Sequence, residues 1–128
     1  MYPQIFRNLP GNSDWKGSFY ERLAEYGDWN IVDFWRLHYD LVAAARSQDS
    51  SAEVNRDLAL GVAMLFAKIT TLISAHHNVN DVFQIKNLST DELLAFNERL
   101  EHAVLAVFSG QVIAESSYEL TSPMFVNV

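Results

Sequence analysis

Apolar residues recur every three to four positions along most of the chain, which is the spacing of helices rather than strands. Only three prolines and five glycines interrupt this pattern. The clearest short example is the stretch FYERLAEY, which Ser18 can cap and Gly27 can end. The pattern predicts that residues 1–128 form one all-α domain, a bundle of about four to five helices around a long apolar central helix.

A second helix is predicted from about Asn30 to Arg46, and its two sides differ in character. The apolar side carries Ile31, Phe34, Trp35, Leu41, Val42 and Ala45. The polar side carries Asp33, Arg36 and Asp40. His38 lies within the apolar side, where a packed histidine with one hydrogen-bonded nitrogen is more common than a catalytic base. We therefore expect His38 to belong to the core.

The third predicted helix is long and apolar nearly all round. Ser51 is its expected cap, Glu53 lies in its first turn, and it continues to the histidines at 76 and 77. Gly61 and Ala67 are small enough to let a neighbouring helix approach closely. A membrane span would place Lys68 near the middle of the bilayer, at a cost of about 2.5–3.5 kcal/mol. We expect a central helix surrounded by its neighbours instead.

The fourth predicted helix has the strongest local signals. Ser89 and Glu92 have capping-box spacing, and Gly110 can end the helix. Its apolar side carries Leu93, Phe96, Leu100, Val104 and Val107, and its opposite side carries Asp91, Glu98 and His102. Leu94 and Leu105 lie beside the apolar side and fit either a partner surface or contact with a fifth packed segment.

Three shorter features leave alternatives open. The aromatic residues of the first 40 positions suit core packing, or an interface anchored by Trp15, Tyr26 or Trp29. The stretch VFQIKN suits a short extended piece. The stretch SSYELTSPMFVNV suits either a short last helix or an extended tail.

The stretch HHNVND, residues 76–81, raises the question of a metal or catalytic site. Adjacent residues of a helix point about 100° apart, so His76 and His77 do not share a face as zinc-binding histidines four positions apart do. A histidine at a helix C-terminus, followed by asparagine and aspartate turns, explains the same residues. We expect Asp81 to accept a hydrogen bond from the backbone two residues further on.

Charge and composition limit the function. The net charge is −7, of which residues 87–128 contribute −5 from six acids and Arg99. This balance disfavours direct nucleic-acid binding and favours a basic partner. The sequence has no cysteine, no nucleophile elbow and no phosphate-binding glycine loop, so neither an enzyme nor a cofactor is expected. The first residues do not form a secretion signal, which favours a cytoplasmic location.

Several stretches, in order, resemble the bacterial immunity protein 41 family: FRNLP, SFYERLAE, HHNVNDVFQIKNLSTDEL and VFSGQ. The resemblance extends from residue 5 to about residue 112. It implies a cytoplasmic protein of a contact-dependent growth inhibition or related polymorphic toxin system. Such a protein binds and neutralises the C-terminal toxin domain of a large secreted effector. Many of these toxins are nucleases with basic clefts, and an acidic inhibitor can occupy such a cleft.

Charge and predicted exposure then select the interface candidates. The first surface comprises Asp91, Glu98 and Glu101, and a second comprises Asp33 and Asp40. Two other functions fit the sequence. One is a small metal-dependent hydrolase that uses His76, His77 and Asp81, and the other is a helical adaptor without a toxin partner.

Overall fold

A computed structural model describes residues 1–47 and 53–125 of the chain. The all-α prediction is confirmed, since the described residues contain helices and no strand. The helices are α1 (Pro3–Phe6), α2 (Phe19–Tyr26), α3 (Ile31–Ser47), α4 (Arg56–His77) and α5 (Thr90–Ser109). Two short 3-10 turns, Glu115–Ser117 and Pro123–Phe125, follow α5, so the tail is neither a regular α-helix nor fully extended.

Helices α3 and α5 form the most extensive helix pair, and aromatic rings fill the space around them. Phe19, Trp29, Phe34, Trp35 and Phe96 form a chain of ring contacts with centroids 4.9–5.7 Å apart. All of these pairs are edge-on or tilted, which suits the ring quadrupoles. Trp29 is fully buried, so the suggestion that it anchors an interface is wrong, and core packing explains it.

The apolar sides predicted for α3 and α5 are buried, with one exception. All five residues predicted for α5 are in the core, as are five of the six predicted for α3. The exception is Ile31, which is 42% exposed. Ile31 is the first residue of α3, and its side chain lies at the rim of a surface groove beside Pro123 and Met124. Position in the helical period does not reveal such an end effect.

Helix α4 is long and apolar as predicted, but its neighbours cover one side rather than all sides. Its buried residues are Leu58, Gly61, Val62, Leu65, Ile69 and Ile73. They pack against α1 and α5, while Leu60 and Met64 on the other side face solvent. By length and composition alone α4 could cross a membrane. Its side facing α1 and α5 is a core-packing surface of the kind that helices of globular bundles have.

The small residues of α4 have different fates. A Cβ added to Gly61 would lie 2.8 Å from Cε1 of Phe6, so the glycine permits the close approach of α1 as expected. Ala67 is exposed, and the corresponding prediction is wrong. The cap predicted at Ser51 lies outside the described residues. Helix α4 instead begins after Asn55, whose side chain accepts a hydrogen bond from the Leu58 N–H.

The predicted ends of α2 and α5 are confirmed, whereas the predicted first turn of α4 is not. Ser18 caps α2 and Ser89 caps α5, in the second case with a complete capping box that includes Glu92. Gly27 and Gly110 end these helices in the left-handed conformation, with φ of 64° and 72°. Glu53 was expected in the first turn of α4, but it lies before the helix begins. The acidic residue of the first turn is Asp57.

The stretch HHNVND ends α4 and turns the chain, as predicted. The side chain of Asn78 accepts a hydrogen bond from the Asn80 N–H, and Asp81 accepts one from the Phe83 N–H at 2.9 Å. His76 Nδ1 accepts a hydrogen bond from the Ile85 N–H at 3.0 Å. These bonds direct the following segment toward α2, where the Lys86 N–H donates to the carbonyl of Gly27.

Candidate functional site: the outer side of α5

The side of α5 that faces away from the core presents a row of exposed residues, which we call the α5 seam. It comprises Asp91, Leu94, Glu98, Glu101, Leu105 and Phe108. Consecutive members are alternately three and four positions apart, so they share one face of the helix. The core residues of α5 lie on the opposite face, and the seam is therefore not required to build the bundle.

The apolar members of the seam are large and exposed. The exposed fractions of Leu94, Leu105 and Phe108 are 58%, 55% and 45%. No described segment buries these side chains, which favours the partner surface over a fifth packed segment for Leu94 and Leu105. Phe108 was missed in the sequence, although its position three residues after Leu105 was a usable signal.

The three acids of the seam are the residues that charge and predicted exposure select from the sequence. The structure brings Asp91, Glu98 and Glu101 together on one side of α5. None of them forms an ion pair within residues 1–47 and 53–125. The acids that do so there are Asp33 and Glu115. Their charges therefore face solvent without a cationic partner among the described residues.

The second predicted surface, on α3, has a different environment. Asp33 is in ion pairs with Arg22 at 3.5 Å and Arg36 at 3.4 Å. Asp40 accepts a hydrogen bond from the Gln4 N–H at 2.8 Å, and burial raises the pKa of its carboxyl group. Both carboxylates thus stabilise contacts within the chain, and the structure does not bring them to the α5 seam.

The side of α5 toward the tail holds a buried polar cluster that sequence reasoning missed. Arg99 is only 2% exposed and forms a two-pronged ion pair with Glu115. It also donates to the Leu120 carbonyl and shares a 3.2 Å hydrogen bond with His38 Nε2. Its guanidinium lies 3.8 Å from the ring centre of Tyr118. The available signal was weak: Arg99 lies beside the predicted apolar side, three positions after Phe96.

Electrostatics in this cluster favour a charged Arg99–Glu115 pair and a neutral His38. Burial, followed by the positive charge of Arg99, lowers the pKa of His38 to about 4, although Glu115 opposes the shift. Burial raises the pKa of Glu115, but hydrogen bonds from Arg99 and the Ser122 N–H outweigh it and leave that pKa below its usual value. The cluster therefore fastens the tail to α3 and α5.

The geometry does not favour a metal centre at the HHNVND turn. One nitrogen of His76 and one oxygen of Asp81 already accept backbone hydrogen bonds. In the part of the chain that the structure describes, no group of three or more histidine, aspartate or glutamate side chains is placed to hold a metal ion. The described residues thus offer no set of three ligands for the hydrolase alternative based on His76, His77 and Asp81.

No protein-family model, curated protein or solved structure matches this chain.

Proposed function

We propose that the protein is an immunity protein that binds and neutralises the toxin domain of a polymorphic toxin system in the cytoplasm. The α5 seam carries the proposal, because it presents exposed carboxylates that no described residue neutralises, beside large exposed apolar side chains. The order of motifs that resembles the immunity protein 41 family supports the same function. The concentration of negative charge in residues 87–128 adds to it.

A basic toxin cleft is the partner chemistry that such a surface fits. A nuclease binds phosphates with clustered lysine and arginine side chains, and the three seam carboxylates offer charges of the opposite sign. Complementary charge increases the association rate by roughly 10- to 1,000-fold at low salt, and the effect weakens as salt screens it. The bundle would then block the cleft by its bulk, without any reaction of its own.

Co-expression tests the function directly. The C-terminal domain of the protein encoded immediately upstream, which the proposal requires to be a toxin, is produced with and without this protein in a sensitive bacterial host. We expect survival only when both are present, together with a stable complex on size-exclusion chromatography. Growth arrest despite soluble, folded protein would refute the proposed function.

Charge reversal tests whether the seam is the docking surface. The variant Glu98→Lys/Glu101→Lys should slow association with the toxin domain at least about tenfold at low salt, as measured by stopped-flow fluorescence. The matched control is Glu25→Lys/Glu119→Lys, which changes the net charge equally at two other exposed acids. Equal slowing by both variants would show a general charge effect and reject the seam.

A further inference from the structure

The spacing of the α5 seam is that of a helix-to-helix contact. Its six members alternate by three and four positions over the 18 residues from 91 to 108, as do the contact positions of a coiled coil. At about 1.5 Å per residue, the seam is about 26 Å long. A straight helix drifts by about 20° per heptad relative to this spacing, so all six members stay on one side of α5.

Charge within the seam limits what can cover it. Glu98 and Glu101 occupy the two central positions, and the apolar members Leu94 and Leu105 flank them directly. A wholly apolar cover, such as a lipid surface, would bury two carboxylates without partners, which is costly. The cover must therefore supply positive charge at its centre and apolar groups on either side.

A second copy of this chain does not meet that requirement. Antiparallel pairing of two α5 helices that joins Leu94 to Leu105 also places Glu98 against Glu101 of the other copy. Parallel pairing places each glutamate against its own equivalent. Either arrangement collects four carboxylates at the centre of the contact, where like charges repel strongly.

We propose that the α5 seam docks one α-helix of a partner protein. The facing side of that helix carries two lysine or arginine residues at its centre, with apolar residues in the turns before and after them. This inference rests on the proposed function, because it takes the toxin domain to be the protein that supplies the helix. The apolar anchors determine how long the complex lasts, and the central charge pairs determine register and partner choice.

A designed peptide tests the inference without the toxin. The probe is a labelled amphipathic helix of about three heptads, with leucine at its contact positions except for lysine at the central two. The comparison peptide carries glutamate at those two positions. Binding is measured by fluorescence anisotropy at low salt, and the site is mapped from backbone amide shifts in NMR spectra.

We expect the lysine peptide to bind at least tenfold more tightly than the glutamate peptide, with shifts concentrated along α5. The variant Glu98→Lys/Glu101→Lys should reverse this preference. Leu94→Ala/Leu105→Ala should weaken binding of the lysine peptide at least tenfold. The control Leu60→Ala/Met64→Ala, on the exposed side of α4, should leave it unchanged. Circular dichroism verifies that each variant is folded.

Other outcomes overturn the inference. Equal binding of the two peptides, shifts that map to α4, or a protein dimer that Leu94→Ala/Leu105→Ala dissociates would each reject the proposed docking. The proposed function and the proposed helix docking can be refuted independently. Protection from the toxin with no effect of the leucine variant on that complex would retain the immunity function and reject the helix. Peptide binding without protection would retain the helix-docking surface and reject the immunity function.

Discussion

The buried histidine of the tail cluster predicts a specific loss of stability in acid. Protonation of His38 has a pKa of about 4 in the folded protein and 6.5 as its ordinary value, chiefly because burial disfavours the charged ring. Arg99 adds to this effect from α5, and Glu115 in the tail opposes it. Above pH 6.5 the histidine is neutral in both the folded and the unfolded chain, so its contribution to stability is complete there.

As pH falls from 6.5 toward 4, His38 becomes protonated in the unfolded chain but stays largely neutral in the folded chain. The difference of about 2.5 pH units corresponds to a loss of about 3 kcal/mol in the free energy of unfolding, since each unit is worth about 1.4 kcal/mol. The lowered pKa of Glu115 acts in the same direction, but at the acidic end of this range. For a domain of ordinary stability, 3 kcal/mol is a large fraction.

Urea unfolding at pH 7, 6, 5 and 4 measures the effect against a variant that does not titrate. His38→Gln keeps an acceptor for Arg99 and removes the ionisable ring. Between pH 7 and pH 4, the free energy of unfolding of the wild-type protein should fall by about 3 kcal/mol more than that of the variant. Parallel curves for the two proteins would refute a histidine held neutral by burial.

Three further substitutions are expected to lower the free energy of urea unfolding at neutral pH. Gly27→Ala should cost more than the roughly 1–2 kcal/mol that a non-glycine residue pays in the left-handed conformation, because its Cβ would also lie 2.1 Å from the Gln84 carbonyl oxygen. An unchanged free energy of unfolding would contradict this close approach. Ser89→Ala should cost about 1 kcal/mol by loss of the α5 cap, and Ser89→Asp should restore most of it. Arg99→Leu should cost about 3–5 kcal/mol, because Glu115 loses its cation, whereas a cost below 1 kcal/mol would show that the ion pair does not hold the tail.

Local sequence signals predicted the helix ends well. The caps at Ser18 and Ser89 and the left-handed ends at Gly27 and Gly110 depend on residues within four positions of each other. The HHNVND turn belongs to the same class, because its asparagine and aspartate bond to amides two residues away. Such contacts join residues that are close together in the chain, so residue order carries most of the signal needed to find them.

The candidate site was only partly visible in the sequence. Helical period placed Asp91, Glu98 and Glu101 on one side of a helix, and the structure keeps them there without an ion pair among described residues. The same reasoning treated Asp33 as an exposed charge. Its pairing with Arg22 comes from a different helix, which helical period cannot foresee.

By itself, the sequence determined the all-α class, most helix boundaries and the inward sides of α3 and α5, because each depends on residues close together in the chain. Only the tertiary structure decided which surfaces stay uncovered. The tail packs on α3 and is fastened through Arg99 and Glu115, α1 covers one side of α4, and nothing among the described residues covers the α5 seam. Exposure depends on contacts between distant segments, and the proposed function rests on that exposure.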